Sequence, residues 1–199
     1  MMIFLLTSAG FINKEISDIF LGLIKKPIGE ISVLFIPTAS RAKEELAYVN
    51  ASRQELLDLG VDHLTTLNLD HKLTEEEVLS TDVIYVCGGN TFYLLQKFRE
   101  SGFDQLLKQF DGLYIGVSAG SIVVGPNVEV AAPWDENDVK LTDTTGLRLV
   151  NFAVVPHYQR KDKATVEELI NRTDYEILEL TDNQAALVIS GERKIIGRS

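Results

Sequence analysis

The feature that most constrains this fold is an apolar run that ends in five small residues and continues into a second apolar run. Residues 113–115 predict a buried strand, residues 116–120 are Gly-Val-Ser-Ala-Gly, and residues 121–124 predict the start of a helix. The glycines allow a sharp strand-to-helix turn, because a side chain there would collide with neighbouring backbone. Such a turn presents a serine hydroxyl, which makes Ser118 a candidate nucleophile. A simple packing turn is the alternative interpretation.

A glycine pair marks the end of another predicted strand. Residues 82–88 form an apolar run that leads into Gly89, and a helical pattern follows. Glycines at this position expose backbone amides, and ligands bind at the carboxyl edge of an open parallel sheet. The amides of Gly89 and Ala119 are therefore candidate donors to an oxyanion. Alternatively, this is an ordinary turn in which Asn90 or Thr91 caps the helix.

Three histidines are available to act as a base. His63 and His71 lie in polar surroundings, which favours solvated loop positions. His157 instead follows the apolar run 152–155 and Pro156, which places its imidazole at a strand end, as a catalytic triad requires. We take His157 as the candidate base, with a structural imidazole as the alternative.

These segments together resemble a known family. The residues at 87–92, 116–120 and 151–158 are similar in type, order and rough spacing to three signatures of the peptidase E and cyanophycinase serine peptidases, peptidase family S51. The similarity runs from Met1 to about Gly191. It implies an α/β fold with a sheet like that of the class I glutamine amidotransferases, which is flavodoxin-like.

The resemblance also implies chemistry. It places the family's nucleophile on Ser118, its histidine on His157 and its oxyanion donors on Gly89 and Ala119, with no metal or other cofactor. The implied activity is hydrolysis of short peptides by a dipeptidase E-like enzyme. In peptidase E relatives this releases an amino-terminal aspartate, and in cyanophycinases it cleaves β-aspartyl linkages.

The third triad position departs from the family pattern. The family has a glutamate just before a last apolar strand, and matching that strand to 186–189 places Asn183 there. Asparagine can orient an imidazole but cannot stabilise imidazolium by charge. We therefore favour Asn183, with Asp182 and Asp135 as alternatives. The missing carboxylate motivates a second hypothesis, a weakly active or inactive binding or regulatory protein; an esterase or amidase with the same turn is a third.

Substrate contacts are less constrained. An aspartate in the substrate needs a cation, and Arg160, Lys161 and Lys163 follow His157 closely. Asn90 and Arg160 are the candidate binding residues. The turns at 7–10 and 37–40 end the first two strands in small polar residues, so they either shape a pocket at the same edge or act as turns alone.

Composition limits the remaining classes. A length of 199 residues, 45% apolar and 24% charged, predicts a single globular domain over 1–199. A net charge of −10 argues against nucleic-acid partners. No segment is typical of a membrane span or signal peptide, and one cysteine precludes an internal disulfide, so a cytoplasmic location is expected. A homodimer is compatible with this interpretation.

The order of predicted elements favours three layers around one mostly parallel sheet. Strands are predicted at 2–7, 31–37, 63–68, 82–88, 112–117, 128–132, 151–156 and 185–190, and helices near 12–25, 42–59, 74–79, 91–100, 103–110, 119–124 and 162–171.

Overall fold

A computed structural model describes residues 2–43 and 45–198. The strands are β1 (Ile3–Thr7), β2 (Ser32–Ile36), β3 (His63–Thr66), β4 (Val83–Val86), β5 (Leu113–Val117), β6 (Phe152–Val155), β7 (Glu176–Glu179), β8 (Ala185–Ile189) and β9 (Glu192–Ile196). The helices are α1 (Lys14–Leu23), α2 (Glu45–Asp58), α3 (Glu75–Leu79), α4 (Thr91–Ser101), α5 (Phe103–Leu107), α6 (Ala119–Ile122) and α7 (Lys163–Arg172). All seven predicted helices are confirmed, with ends that differ by up to three residues.

The main sheet has seven strands in the order β3-β2-β4-β5-β1-β8-β9. The first five are mutually parallel, whereas β8 pairs antiparallel with β1 and β9 pairs antiparallel with β8. The predicted α/β fold with a mostly parallel sheet is confirmed.

Two apolar cores cover the two faces of this sheet. Successive residues of β1 alternate between them: Leu6 packs with one core and Leu5 with the other. This is the period-2 geometry of a strand that is buried on both faces. Helices α1 and α2 contribute Phe20 and Leu56 to the Leu5 core, and α4 contributes Phe92 to the Leu6 core. The result is three layers, helix, sheet and helix.

The sheet brings several chain segments to one edge. Strands β1, β2, β4 and β5 all end there because they run parallel. Strand β8 runs the opposite way, and its first residue, Ala185, pairs with Thr7 at the end of β1. The loop just before β8 therefore lies beside the ends of the parallel strands.

Two predictions about strands need correction. The segment predicted as a strand at 128–132 is a 3₁₀ turn, Val128–Ala131, with the Asn127 side chain accepting from the amide of Glu129. Val128 and Val130 are both buried, and this spacing of two residues imitates strand alternation. The predicted strand at 151–156 exists as β6, but it pairs with β7 in a separate two-stranded sheet.

Strands β7 and β9 were not predicted. Both have exposed, charged residues, and β9 shows a single buried position. None of the helices in residues 2–43 and 45–198 has the length and apolar character needed to cross a membrane.

Candidate active site

Ser118 lies on a strained turn between β5 and α6. Its φ of 49° falls in the left-handed region, which is uncommon for a residue with a side chain. Its amide donates to the carbonyl of Thr7 at 3.1 Å, and the buried hydroxyl of Ser121 lies 2.8 Å from the carbonyl oxygens of both Thr7 and Gly116, which share its one proton. A Cβ on Gly116 would lie 2.5 Å from the Gly120 carbonyl oxygen, so this tight turn requires glycine. The predicted tight turn between a strand and a helix is thus present around Ser118.

His157 faces Ser118 from outside the main sheet. It follows β6, has a φ of 57°, and places Nε2 3.1 Å from the Oγ of Ser118. Its backbone amide donates to the Oγ of Ser8 at 2.7 Å. This contact ties the unusual backbone of His157 to the end of β1.

The carboxylate on the imidazole is Asp182. Its Oδ1 lies 2.6 Å from Nδ1 of His157, and the Ser8 hydroxyl donates to the same oxygen at 3.3 Å. Asn183, the residue favoured for this position, makes no hydrogen bond to His157 among the described residues, and its backbone carbonyl accepts from Nδ2 of Asn13 at 3.0 Å. The favoured assignment is therefore wrong for this contact, and the alternative Asp182 makes it.

The physical reason lies in the Thr181–Gln184 turn. Strand alternation, the argument against Asp182, applies only from Ala185, where β8 begins. Before that, the amide of Gln184 donates to the carbonyl of Thr181 at 2.9 Å, and Oε1 of Gln184 accepts from the amide and hydroxyl of Thr181. This turn aims Asp182 at the edge of the sheet.

Asp135, the other alternative, serves a helix. Its Oδ2 accepts from the amide of Thr91, the first residue of α4, at 2.8 Å. Asn90 also has a capping role, because its Oδ1 accepts from the amide of Tyr93, while its Nδ2 donates to the carbonyl of Glu136. The simpler interpretation of Asn90 as a helix cap matches this geometry. Neither residue contacts His157 among the hydrogen bonds of the described residues.

The two candidate oxyanion donors flank Ser118. Gly89 has a φ of 128°, and a Cβ there would collide with the carbonyl of Ala39. A Cβ on Gly88 would lie 3.2 Å from the Ser118 Cβ, so the turn after β4 runs directly beside the serine. Within residues 2–43 and 45–198, the amides of Gly89 and Ala119 make no hydrogen bond. Gly89 borders a cavity beside Ser118, whereas Ala119 is fully buried.

Ser118 and His157 separate two cavities. The larger, of about 590 Å³, is lined by residues of β-strand ends and α2: Ala9, Ile12, Ser40, Glu45, Tyr48, Val49, Ala51, Ser52, Glu55, Cys87, Gly88, Gly89, Val117, Ser118, His157 and Asp182. The smaller, of about 220 Å³, is lined by Ser118, Ile122, Val130, Ala131, Trp134, Asp135, Val154, Val155, Pro156, His157, Gln159, Lys161 and Asp162. Another open cleft, of about 700 Å³ beside Arg148 and Tyr175, contains none of the candidate site residues.

Charged groups divide unevenly between these cavities. Lys161 lines the smaller one, whereas Arg160, the cation we expected near the substrate, lines neither. In the larger cavity, burial raises the pKa of Glu55, although a hydrogen bond from the amide of Phe11 opposes the shift. Burial also raises the pKa of the Cys87 thiol far above its ordinary value, so this cysteine is protonated and a poor nucleophile. In the described part of the chain, no group of three or more metal-ligating side chains is placed to hold an ion.

Comparison with known proteins gives the family. The family model for peptidase family S51 matches residues 3–197, nearly the whole chain. The chain belongs to peptidase family S51. It is therefore a peptidase of the serine hydrolase class, and the predicted family is confirmed.

Individual family S51 relatives agree with this assignment. An uncharacterized peptidase of Pasteurella multocida is 35% identical over 191 residues, 92% of each chain. Peptidase E of Shewanella denitrificans is 30% identical over 131 residues, which cover 63% of this chain and 53% of that protein. A crystal structure from Listeria monocytogenes EGD-e, described as a candidate peptidase E protein, matches with a TM-score of 0.83 and 31% identity over all of both chains.

Proposed function

We propose that this family S51 protein hydrolyses short peptides through an acyl-enzyme on Ser118. One observation carries the proposal: Ser118, His157 and Asp182 form a continuous hydrogen-bonded series, with separations of 3.1 Å and 2.6 Å. A serine hydroxyl in this relation to an imidazole and a carboxylate is a recurrent arrangement for acyl transfer.

The contact with Asp182 fixes the imidazole for its role as base. A carboxylate can only accept, so Nδ1 of His157 carries the proton and donates to Asp182. Nε2 is then unprotonated and faces the Ser118 hydroxyl. It takes the serine proton as Oγ attacks the scissile carbonyl, and the negative charge of Asp182 stabilises the resulting imidazolium.

Collapse of the tetrahedral intermediate completes the first half of the reaction. His157 donates its proton to the leaving amine, and the C–N bond breaks to leave the acyl group on Ser118. Water then attacks the ester with His157 again as base, which releases the carboxylic acid and restores the serine. The amides of Gly89 and Ala119 would donate to the oxyanion in both halves.

The substrate class is argued from the cavities. The two cavities have limited volumes, about 590 and 220 Å³, and both border Ser118, which favours short substrates. An amino-terminal aspartate, the residue that the resemblance implies, needs a cation. Lys161 meets that need because it lines the smaller cavity, whereas Arg160 does not.

The rival hypothesis of a weakly active binding protein loses its motivation. It depended on Asn183 in place of a carboxylate, but Asp182 supplies a charged partner to the imidazole. The geometry therefore favours catalysis.

Covalent labelling tests the proposal directly. A fluorophosphonate should attach to wild-type protein, and peptide mass spectrometry should locate the adduct on Ser118. His157→Ala should label far more slowly, because the hydroxyl then has no base, while Ser80→Ala, a surface serine, should label as wild type does. No adduct on Ser118 in folded protein would contradict an activated serine.

A further inference from the structure

The larger cavity beside Ser118 is lined by negatively charged side chains, and its one basic side chain among the described residues is the imidazole of His157. It contains three carboxylates, Glu45, Glu55 and Asp182, and no lysine or arginine among the described residues that line it. In a cleft partly shielded from water, such a lining attracts cations and repels a substrate carboxylate. The electrostatics of this cavity therefore differ from those of the smaller cavity, which has Lys161.

Each of the three carboxylates has one oxygen engaged. Oδ1 of Asp182 lies 2.6 Å from Nδ1 of His157, and Oε2 of Glu45 accepts from the amides of Arg41 and Ala42 at 2.6 and 2.7 Å, ahead of α2. Glu55 has the longest and least extensive of these contacts. Its Oε2 accepts from one amide, that of Phe11, at 3.2 Å, and its Oε1 has no partner among the described residues.

The surroundings of Glu55 contain a second unsatisfied polar group. The hydroxyl of the fully buried Tyr85 has no hydrogen-bond partner within the described part of the chain. A Cβ built on Gly10 would lie 3.2 Å from this hydroxyl and 3.4 Å from Oε2 of Glu55, so both oxygens border the space beside Gly10. Buried polar groups without partners are costly, and because Tyr85 does not line the cavity, the oxygens open to a ligand that donates a hydrogen bond are those of Glu55.

The rim of the same cavity is apolar. Ile12 and Tyr48 line it and are 54% and 76% exposed, an unusual degree for large hydrophobic side chains, and Val49 adds a further apolar wall. An apolar rim with a carboxylate deeper inside matches a group that has an aliphatic stem and a cationic end.

We propose that the larger cavity binds a cationic nitrogen of the peptide substrate, an ammonium or guanidinium group, with Glu55 as its counter-charge. Glu55 is then a specificity-determining residue. The proposal rests on the proposed function, because the peptide bound in this cavity is the one presented to Ser118. The nitrogen belongs either to a basic side chain or to the free amino terminus, and the experiment below separates these sources.

Binding to the Ser118→Ala variant tests the proposal without turnover. Isothermal titration calorimetry would compare Lys-Leu, norleucyl-Leu, Nα-acetyl-Lys-Leu and Nα-acetyl-norleucyl-Leu. Peptides that present the recognised cation should bind about tenfold more tightly than Nα-acetyl-norleucyl-Leu, which has neither an ammonium side chain nor a free amino terminus. A charge-assisted hydrogen bond accounts for a difference of this size. Adding Glu55→Gln should remove that difference, whereas adding Glu192→Gln, an exposed carboxylate on β9, should not.

The peptides identify the source of the cation. If the side chain is bound, Nα-acetyl-Lys-Leu binds as Lys-Leu does; if the amino terminus is bound, norleucyl-Leu binds as Lys-Leu does and acetylation weakens both. Equal affinity for all four peptides, no measurable binding, or an unchanged preference in the Glu55→Gln variant would overturn the proposal. Hydrolysis by the wild-type protein is measured separately, so binding that depends on Glu55 without hydrolysis would fault the proposed function alone.

Discussion

Asp182 and Asn183 are adjacent, yet their substitutions should have very different effects. Asp182→Asn keeps the shape but removes the charge that stabilises imidazolium and the acceptor that fixes its tautomer, so kcat should fall by about 10³- to 10⁴-fold. Asn183→Ala should leave kcat close to wild type, because Asn183 contacts Asn13 through its backbone carbonyl. Steady-state kinetics on one cleaved peptide compares the two variants. A similar loss in both would contradict the assignment of Asp182.

We expect Ser8 to position both His157 and Asp182. It is fully buried, accepts from the amide of His157 and donates to Asp182. Ser8→Ala should lower kcat by about five- to tenfold with little change in KM, since a hydrogen bond contributes about 1 kcal/mol net. The loss of kcat caused by Ser8→Ala should be smaller when Asp182→Asn is already present, because that substitution already changes the hydrogen bond between Ser8 and residue 182. Ser80→Ala is the control, and additive losses in the double variant would indicate a merely structural role.

These residues show how far sequence reasoning reaches into a site. Ser118 and His157 could be predicted as neighbours in a site because a turn of small residues and a histidine at a strand end are local patterns. Asp182 was ranked behind Asn183 because adjacent residues of a strand face opposite sides of the sheet. That alternation does not apply to Asp182, which lies in a turn before β8. Ser8 was flagged only as part of a polar turn, since its partners lie 149 and 174 positions away in the sequence.

At the scale of elements, the turn between β5 and α6 should not tolerate a side chain at Gly116. A Cβ there meets the backbone oxygen of Gly120 at 2.5 Å, and backbone cannot move aside as a side chain can. Gly116→Ala should therefore destabilise the protein by about 1–3 kcal/mol and abolish Ser118 labelling. Gly22→Ala on α1 has open space around it and should stabilise by about 0.5–1 kcal/mol. Urea unfolding measures both, and a neutral Gly116→Ala would contradict the tight turn.

The elements that sequence analysis missed are those with weak apolar patterns. Strand β9 is a polar edge strand that depends on its pairing with β8. A motif for it was present, because Ser190 and Gly191 both have positive φ and form a two-residue hairpin turn. Strand β7 has no comparable turn motif, and its parallel pairing with β6 is set by tertiary structure.

Across the whole molecule, stability should vary with pH through pairs such as Glu77 and His71. Hydrogen bonds from His71 and from Thr74 lower the pKa of Glu77 from 4.5 to about 2. The lowered pKa means that Glu77 stabilises the fold above pH 4.5 and that this contribution disappears as pH falls toward 2. Contacts with Asp70 and Glu77 raise the pKa of His71, so its contribution is complete below 6.5 and is lost as pH rises through the raised value.

Urea unfolding across this pH range checks the sign. The free energy of unfolding of wild type should fall between pH 4.5 and about 2, and the Glu77→Gln variant should show a shallower fall. A steeper fall in the variant would contradict the direction assigned to Glu77.

The central claim is that the series Ser118, His157 and Asp182 hydrolyses short peptides. The most direct measurement is hydrolysis of a panel of Asp-X, β-Asp-X and neutral dipeptides by wild type beside Ser118→Ala. The account predicts that wild type releases amino acids from at least one class and that Ser118→Ala lowers this rate by about 10⁴- to 10⁶-fold. Equal rates for the two proteins, or no release from any dipeptide, would contradict it.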